Sequence, residues 1–84
     1  MIASVEALRG DISAAGLREG FVDLLVFDKE SEELVPASIR LNAADYVTAD
    51  EAHMQGGYVK VRGTLVRGRR KHTITDVESF AIEE

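Results

Sequence analysis

Tyr58-Val59-Lys60-Val61-Arg62-Gly63-Thr64-Leu65-Val66-Arg67 is the stretch on which the fold turns. Val59, Val61 and Leu65 fall on one side of an extended chain, and Lys60, Arg62 and Thr64 on the other. A period of two over this length marks a half-buried strand. A basic connection, Gly68-Arg69-Arg70-Lys71, leads into a second β-rich run, His72-Thr73-Ile74-Thr75-Asp76-Val77-Glu78-Ser79-Phe80-Ala81-Ile82. Together they read as a hairpin. The apolar spacing in the second run changes between the Ile74, Val77 pair and the Phe80, Ile82 pair, which predicts a bulge or bend.

Upstream of this hairpin, Gly56-Gly57 stops a helix. Thr48-Ala49-Asp50-Glu51 reads as its capping box, with Thr48 accepting from the Glu51 amide and Glu51 reaching back to Thr48. Val47 and Ala52 occupy the positions of a hydrophobic staple, and the preceding Asn42-Ala43-Ala44-Asp45-Tyr46 is a turn with helical character. Before it, Leu34-Val35-Pro36-Ala37-Ser38-Ile39-Arg40-Leu41 alternates, with Val35, Ala37, Ile39 and Leu41 on one face. Pro36 lacks an N–H to give to a ladder and is expected at a sheet edge or bulge. Phe21-Val22-Asp23-Leu24-Leu25-Val26-Phe27 is a strand, joined to the next by the polar turn Asp28-Lys29-Glu30-Ser31-Glu32-Glu33. Residues 5–15 alternate as well, with Leu8, Gly10, Ile12 and Ala14 on one face and Arg9, Asp11 and Ser13 on the other. A helix is the rival reading there, but Gly10 and Gly16 would each cost about 1 kcal/mol in a helix interior. As a strand, the segment gains a bending point at Gly10, and Gly16-Leu17-Arg18-Glu19-Gly20 turns the chain into the next run. Residues 1–4 and 83–84 are expected to fray.

The resulting order is three strands, a short helix and two strands, an all-β chain with one helix. From Tyr58 to Ile82 the local pattern resembles the last hairpin of OB-fold (oligonucleotide/oligosaccharide-binding) domains, and the order of elements along the rest is similar to theirs. The resemblance implies a five-stranded Greek-key barrel with its helix between the third and fourth strands, covering residues 1–84 as a single domain. It also implies a ligand on the outer face of the second and third strands, flanked by the loops between strands one and two and strands four and five.

Composition narrows the chemistry. Eighty-four residues make one domain. With no cysteine there is no disulfide and no thiolate metal site, which fits a reducing compartment. No apolar run reaches the ~20 residues a bilayer demands, and Met1-Ile2-Ala3-Ser4-Val5-Glu6 does not open a secretory signal. The chain is read as cytoplasmic, without a membrane partner. Two histidines, His53 and His72, stand far apart, no serine sits in a nucleophile motif, and the glycines form no phosphate loop. No enzyme activity, cofactor or metal is expected.

The net charge is −5, unevenly placed. Residues 1–57 hold four Lys/Arg against eleven Asp/Glu, a balance of −7, whereas residues 58–84 hold six against four, a balance of +2. Lys60, Arg62, Arg67, Arg69, Arg70 and Lys71 therefore form a candidate anion-binding group on the final hairpin, or a solvated tip. Phe21 and Phe27 share a strand face opposite Val22, Leu24 and Val26. They are read either as outward stacking platforms for bases or as residues closing the ends of the core, and Asp23 beside them would repel phosphate. Two functions follow: binding of single-stranded nucleic acid through the basic hairpin, or an interaction domain that pairs with itself or with a protein partner.

Overall fold

The computed structural model describes residues 1–83. The chain runs through β1 (Ile2–Ile12), β2 (Arg18–Asp28), β3 (Glu33–Leu41), α1 (Ala43–Gln55), β4 (Tyr58–Val66) and β5 (His72–Ile82). The strands close into a barrel in the order β1-β2-β3-β5-β4, the OB-like five-stranded architecture expected from the sequence. Every neighbouring pair is antiparallel except β3 and β5, which run parallel through Ala37–His72, Ser38–Thr73 and Ile39–Ile74. Pro36 sits just before that parallel seam, where β3 has only β2 beside it, so its missing N–H costs no second ladder.

The inward positions match the alternation of β2 and β4. Val22, Leu24 and Val26 stand beside Ala37, Ile39 and Leu41 on the adjacent strands β2 and β3, and Val59, Val61, Ile74 and Phe80 of β4 and β5 complete the core. Tyr46, Ala49 and Ala52, three apart on α1, close one end. The two alanines let the helix backbone come close, and Tyr46 reaches in with its hydroxyl accepting from the Gly10 N–H at 2.8 Å.

Several sequence expectations are corrected. The helix starts more than a turn before Thr48, because Asn42 accepts from the Asp45 amide at 2.9 Å and caps it there. Thr48 lies inside the helix and donates to the Ala44 carbonyl at 3.4 Å, while Val47 is exposed and staples nothing. Residues 1–4 are ordered: Ile2, Ala3 and Ser4 pair with Lys60, Val59 and Tyr58, and Met1 exchanges backbone bonds with Val61. Glu83 is also held, through its N–H to the Tyr58 carbonyl; Glu84 lies outside the described residues.

The first strand begins three residues earlier than residues 5–15 suggested and ends at Ile12. A bulge between Val5 and Ala7 shifts its parity, so Ala3 and Val5 face inward before it and Leu8 and Gly10 after it. Ile12 lies past the barrel's end and is exposed, and Ala14 belongs to a turn closed by the Ser13 N–H on the Leu17 carbonyl. The connection between β1 and β2 is thus residues 13–17, not residues 16–20. The register irregularity of β1 lies at Val5–Ala7, and Gly10 makes room for Tyr46. The expected irregularity in β5 is present: Arg62 pairs with Ser79 and Thr64 with Thr75, so Gly63 alone faces three residues. Asp76, in that excess, adopts φ 52°, and a Cβ at Gly63 would sit 2.9 Å from the Thr75 carbonyl oxygen.

A Cβ at Gly10 would collide with the Tyr46 ring and the Glu19 carbonyl oxygen. Gly10→Ala is expected to cost about 1–3 kcal/mol in a urea melt through overpacking. Tyr46→Phe, which only strips the hydroxyl, is expected to cost about 1 kcal/mol.

Candidate nucleic-acid interface

The candidate site lies on the outer face of β1, β2 and β3. Register sets Arg9, Phe21 and Arg40 side by side, one on each strand. Each lies opposite in parity to the core positions of its strand, so the alternation that buries Val22 and Ile39 turns Phe21 and Arg40 to solvent. Phe21 is 44% exposed, and the Arg40 guanidinium lies over its ring at 5.7 Å. A shallow depression of about 230 Å³ opens here, lined by Arg9, Ile12, Glu19, Phe21 and Arg40 among others.

Asp23 occupies the next outward position of β2. Its Oδ1 accepts from Arg9 Nη2 and from Lys71 Nζ, each at 2.8 Å. Lys71 thereby fastens the β4–β5 loop over the face. Burial pushes the Asp23 carboxyl up, but the hydrogen bonds and charges of Lys71 and Arg9 together outweigh it and hold the group below the usual carboxylate range.

The six cations expected to form one patch are distributed as follows. Arg67 forks onto Asp28 at 2.5 and 3.1 Å and reaches Glu30 at 2.7 Å, locking the stem of the β4–β5 loop against the β2–β3 turn. Lys71 is spent on Asp23. Lys60 pairs with Glu83 at 3.4 Å and Arg62 with Glu78 at 3.5 Å, on the outer side of β4. The Arg62–Glu78 pair is solvated on both sides and adds little to stability, whereas the Glu83 oxygen that faces Lys60 is buried and has no hydrogen-bond partner among the described residues. Arg69 and Arg70 are exposed, with no carboxylate at ion-pair distance among the described residues. The structure therefore brings Lys71 onto the outer face of β2 through Asp23, leaves its loop neighbours Arg69 and Arg70 exposed, and sets Lys60 and Arg62 in pairs along β4.

Phe21 and Phe27 both face outward rather than closing the core, but six residues of one strand, ~20 Å, separate them. Phe27 stands in a different setting, an apolar patch with Ile2, Leu25, Leu34 and Tyr58. A depression of about 430 Å³ opens on the other side of Phe27, between Met1, Ile2, Lys60 and Leu65. Arg9 and Arg40, which the charge count had placed in the acidic part of the chain, are the residues the sequence reading missed. Their signal was parity, since Arg9 shares the polar face of its strand and Arg40 lies between inward Ile39 and Leu41.

His53 Nδ1 lies 2.9 Å from the Val5 carbonyl oxygen, and His72 Nδ1 accepts from the Gly68 N–H at 3.2 Å, so both rings are tied to backbone. Among the described residues no three His, Asp or Glu side chains group as metal ligands. Among the described residues no helix is long and apolar enough to cross a membrane. Compared with known protein families, curated proteins and solved structures, the chain gives no match.

The Arg67 fork is the main cause of a low Asp28 pKa, about 2 against an ordinary 3.8, with burial working in the opposite direction. Ionised Asp28 therefore stabilises the fold at pH above the ordinary value, and that contribution drains away as pH falls towards 2. Arg67→Met returns the carboxyl towards its ordinary range or above, so acid unfolding followed by circular dichroism is expected to begin at a higher pH than in the wild type.

Proposed function

We propose that this chain is a non-catalytic binding module of the OB type that takes single-stranded nucleic acid across the outer face of β1, β2 and β3. The observation that carries the reading is the cross-strand row Arg9–Phe21–Arg40. An exposed aromatic ring offers a stacking platform worth about 1–3 kcal/mol per base. The flanking guanidinium groups are suited to phosphates and can themselves stack on bases. Arg69 and Arg70, exposed loop neighbours of Lys71, extend the positive charge along the path a strand would follow. The barrel topology supports the same face by analogy with other barrels of this order. A cytoplasmic location accords with the absence of cysteine.

Fluorescence anisotropy with a labelled single-stranded oligonucleotide tests this. Arg40, Arg69 and Arg70 are the cations on this side without a carboxylate partner among the described residues. If they neutralise three phosphates, log K is expected to fall against log salt with a slope near −2, taking ~0.7 per phosphate. Phe21→Ala and the Arg69→Glu/Arg70→Glu pair are each expected to weaken binding at least tenfold at low salt, with unchanged circular dichroism. A salt-independent isotherm, or an undiminished one in both variants, rules the reading out.

A second reading rests on the apolar patch around Phe27. Ile2, Phe27, Leu34 and Tyr58 are all exposed yet contiguous across four strands, an arrangement typical of a protein contact surface. It allows the module to carry nucleic acid at the Phe21 end while docking to a second copy or another protein at the Phe27 end. Sedimentation checks the self-associating form: a dimer in the wild type is expected to become monomeric in Phe27→Ser/Leu34→Ser.

A further inference from the structure

Asp23 stands one outward step from Phe21 on β2, and its carboxylate oxygens are used unequally. Arg9 and Lys71 both donate to Oδ1, while no described residue donates to Oδ2. Arg9 approaches from β1, on one flank of β2, and Lys71 comes over β3 from the other. The carboxylate is thus fixed in orientation, and its charge is exceeded by the two cations on it, so a phosphodiester passing this point is not repelled. The side chain is 21% exposed, enough for a ligand to reach the free oxygen.

Resting on the nucleic-acid reading above, we infer that Asp23 is the base-selecting residue of this face and that it takes bases bearing an exocyclic amino group. An ionised carboxylate has acceptors only. Asp23 and Phe21 are separated by two strand residues, about 7 Å, so a base stacked on Phe21 can turn its hydrogen-bonding edge onto Oδ2. Cytosine offers the N4 amino group there, and the amines of adenine and guanine meet the same requirement. Uracil offers a carbonyl oxygen at the corresponding position, which sets lone pair against lone pair. Because Lys71 and Arg9 keep the carboxyl ionised, the selection does not change across the neutral pH range.

The test compares oligo(dC) with oligo(dU) of equal length at fixed salt and mildly alkaline pH, two ligands that differ only in the groups on the pyrimidine edge. The wild type is expected to bind oligo(dC) about tenfold more tightly. In Asp23→Asn the amide oxygen must face Arg9 and Lys71, which only donate, so the amide nitrogen replaces Oδ2 and turns an acceptor into a donor. The preference is then expected to invert in favour of oligo(dU), with the fold unchanged by circular dichroism. Equal affinities in the wild type, or a preference for oligo(dC) that survives in Asp23→Asn, overturn the inference while nucleic-acid binding itself stands. Failure of the wild type to bind either oligonucleotide removes the nucleic-acid reading, and this inference with it.

Discussion

Two seams of three residue pairs each join the five strands into a closed tube: Ile2–Ser4 against Tyr58–Lys60, and Ala37–Ile39 alongside His72–Ile74. Without them β1-β2-β3 and β4-β5 would be two separate sheets whose edges present unpaired N–H and C=O groups to any passing strand. Closure also curves β1, β2 and β3 outward, and that convex wall is where Arg9, Phe21 and Arg40 come into line. The plug of α1 depends on the same closure. Tyr46 finds Gly10 only because β1 is drawn round far enough for the helix to seat on it, and the Arg18 guanidinium then covers the Tyr46 ring at 5.3 Å. Interior packing and the exterior site are therefore consequences of one geometric condition.

Charge along the chain and charge in space tell different stories. The basic hairpin is a concentration of cations in sequence, but folding sets acidic residues of the β2–β3 turn and of β2 against it. Arg67 and Lys71 become braces that position a loop, with Asp28 and Asp23 as their anchors. Arg9 and Arg40 come from the acidic part of the chain and stand beside an aromatic ring. A face with an exposed aromatic ring between two arginines thus emerges from a chain of net charge −5, and the binding proposed for it draws on this local departure from the overall charge.

Much of the architecture was legible because alternation survives in β2 and β4, where Val22, Leu24, Val26, Val59 and Val61 are buried and the residues between them are more exposed. Gly56, in the left-handed conformation at φ 66°, ended the helix as read. The helix start was not legible: Asn42 and Thr48 are both competent caps, and what decides between them is that Tyr46 must reach the barrel's interior, a tertiary requirement. The N-terminal seam was missed for a related reason, since nothing local in Ile2-Ala3-Ser4 announces a partner near Tyr58. The parity of β1 was obscured by the bulge at Glu6. For the candidate site, the shared outward face of Phe21 and Asp23 was legible from strand parity, with Asp23 read there as repelling phosphate, whereas the pairing of Arg67 with Asp28 and the side-by-side placing of Arg9, Phe21 and Arg40 depend on register between strands.

The backbone bonds between Met1 and Val61 bridge sixty positions of sequence. Contacts of that range impose a large loop-closure entropy before they return any energy, and small barrels built from them assemble in milliseconds to seconds rather than microseconds. On a ribosome, β1 and β2 can form their hairpin early, but the outer flank of β1 has no partner until β4 emerges. For that interval the nascent chain carries an open strand margin of unpaired backbone groups, and the speed of translation through β3 and α1 governs how long it does so.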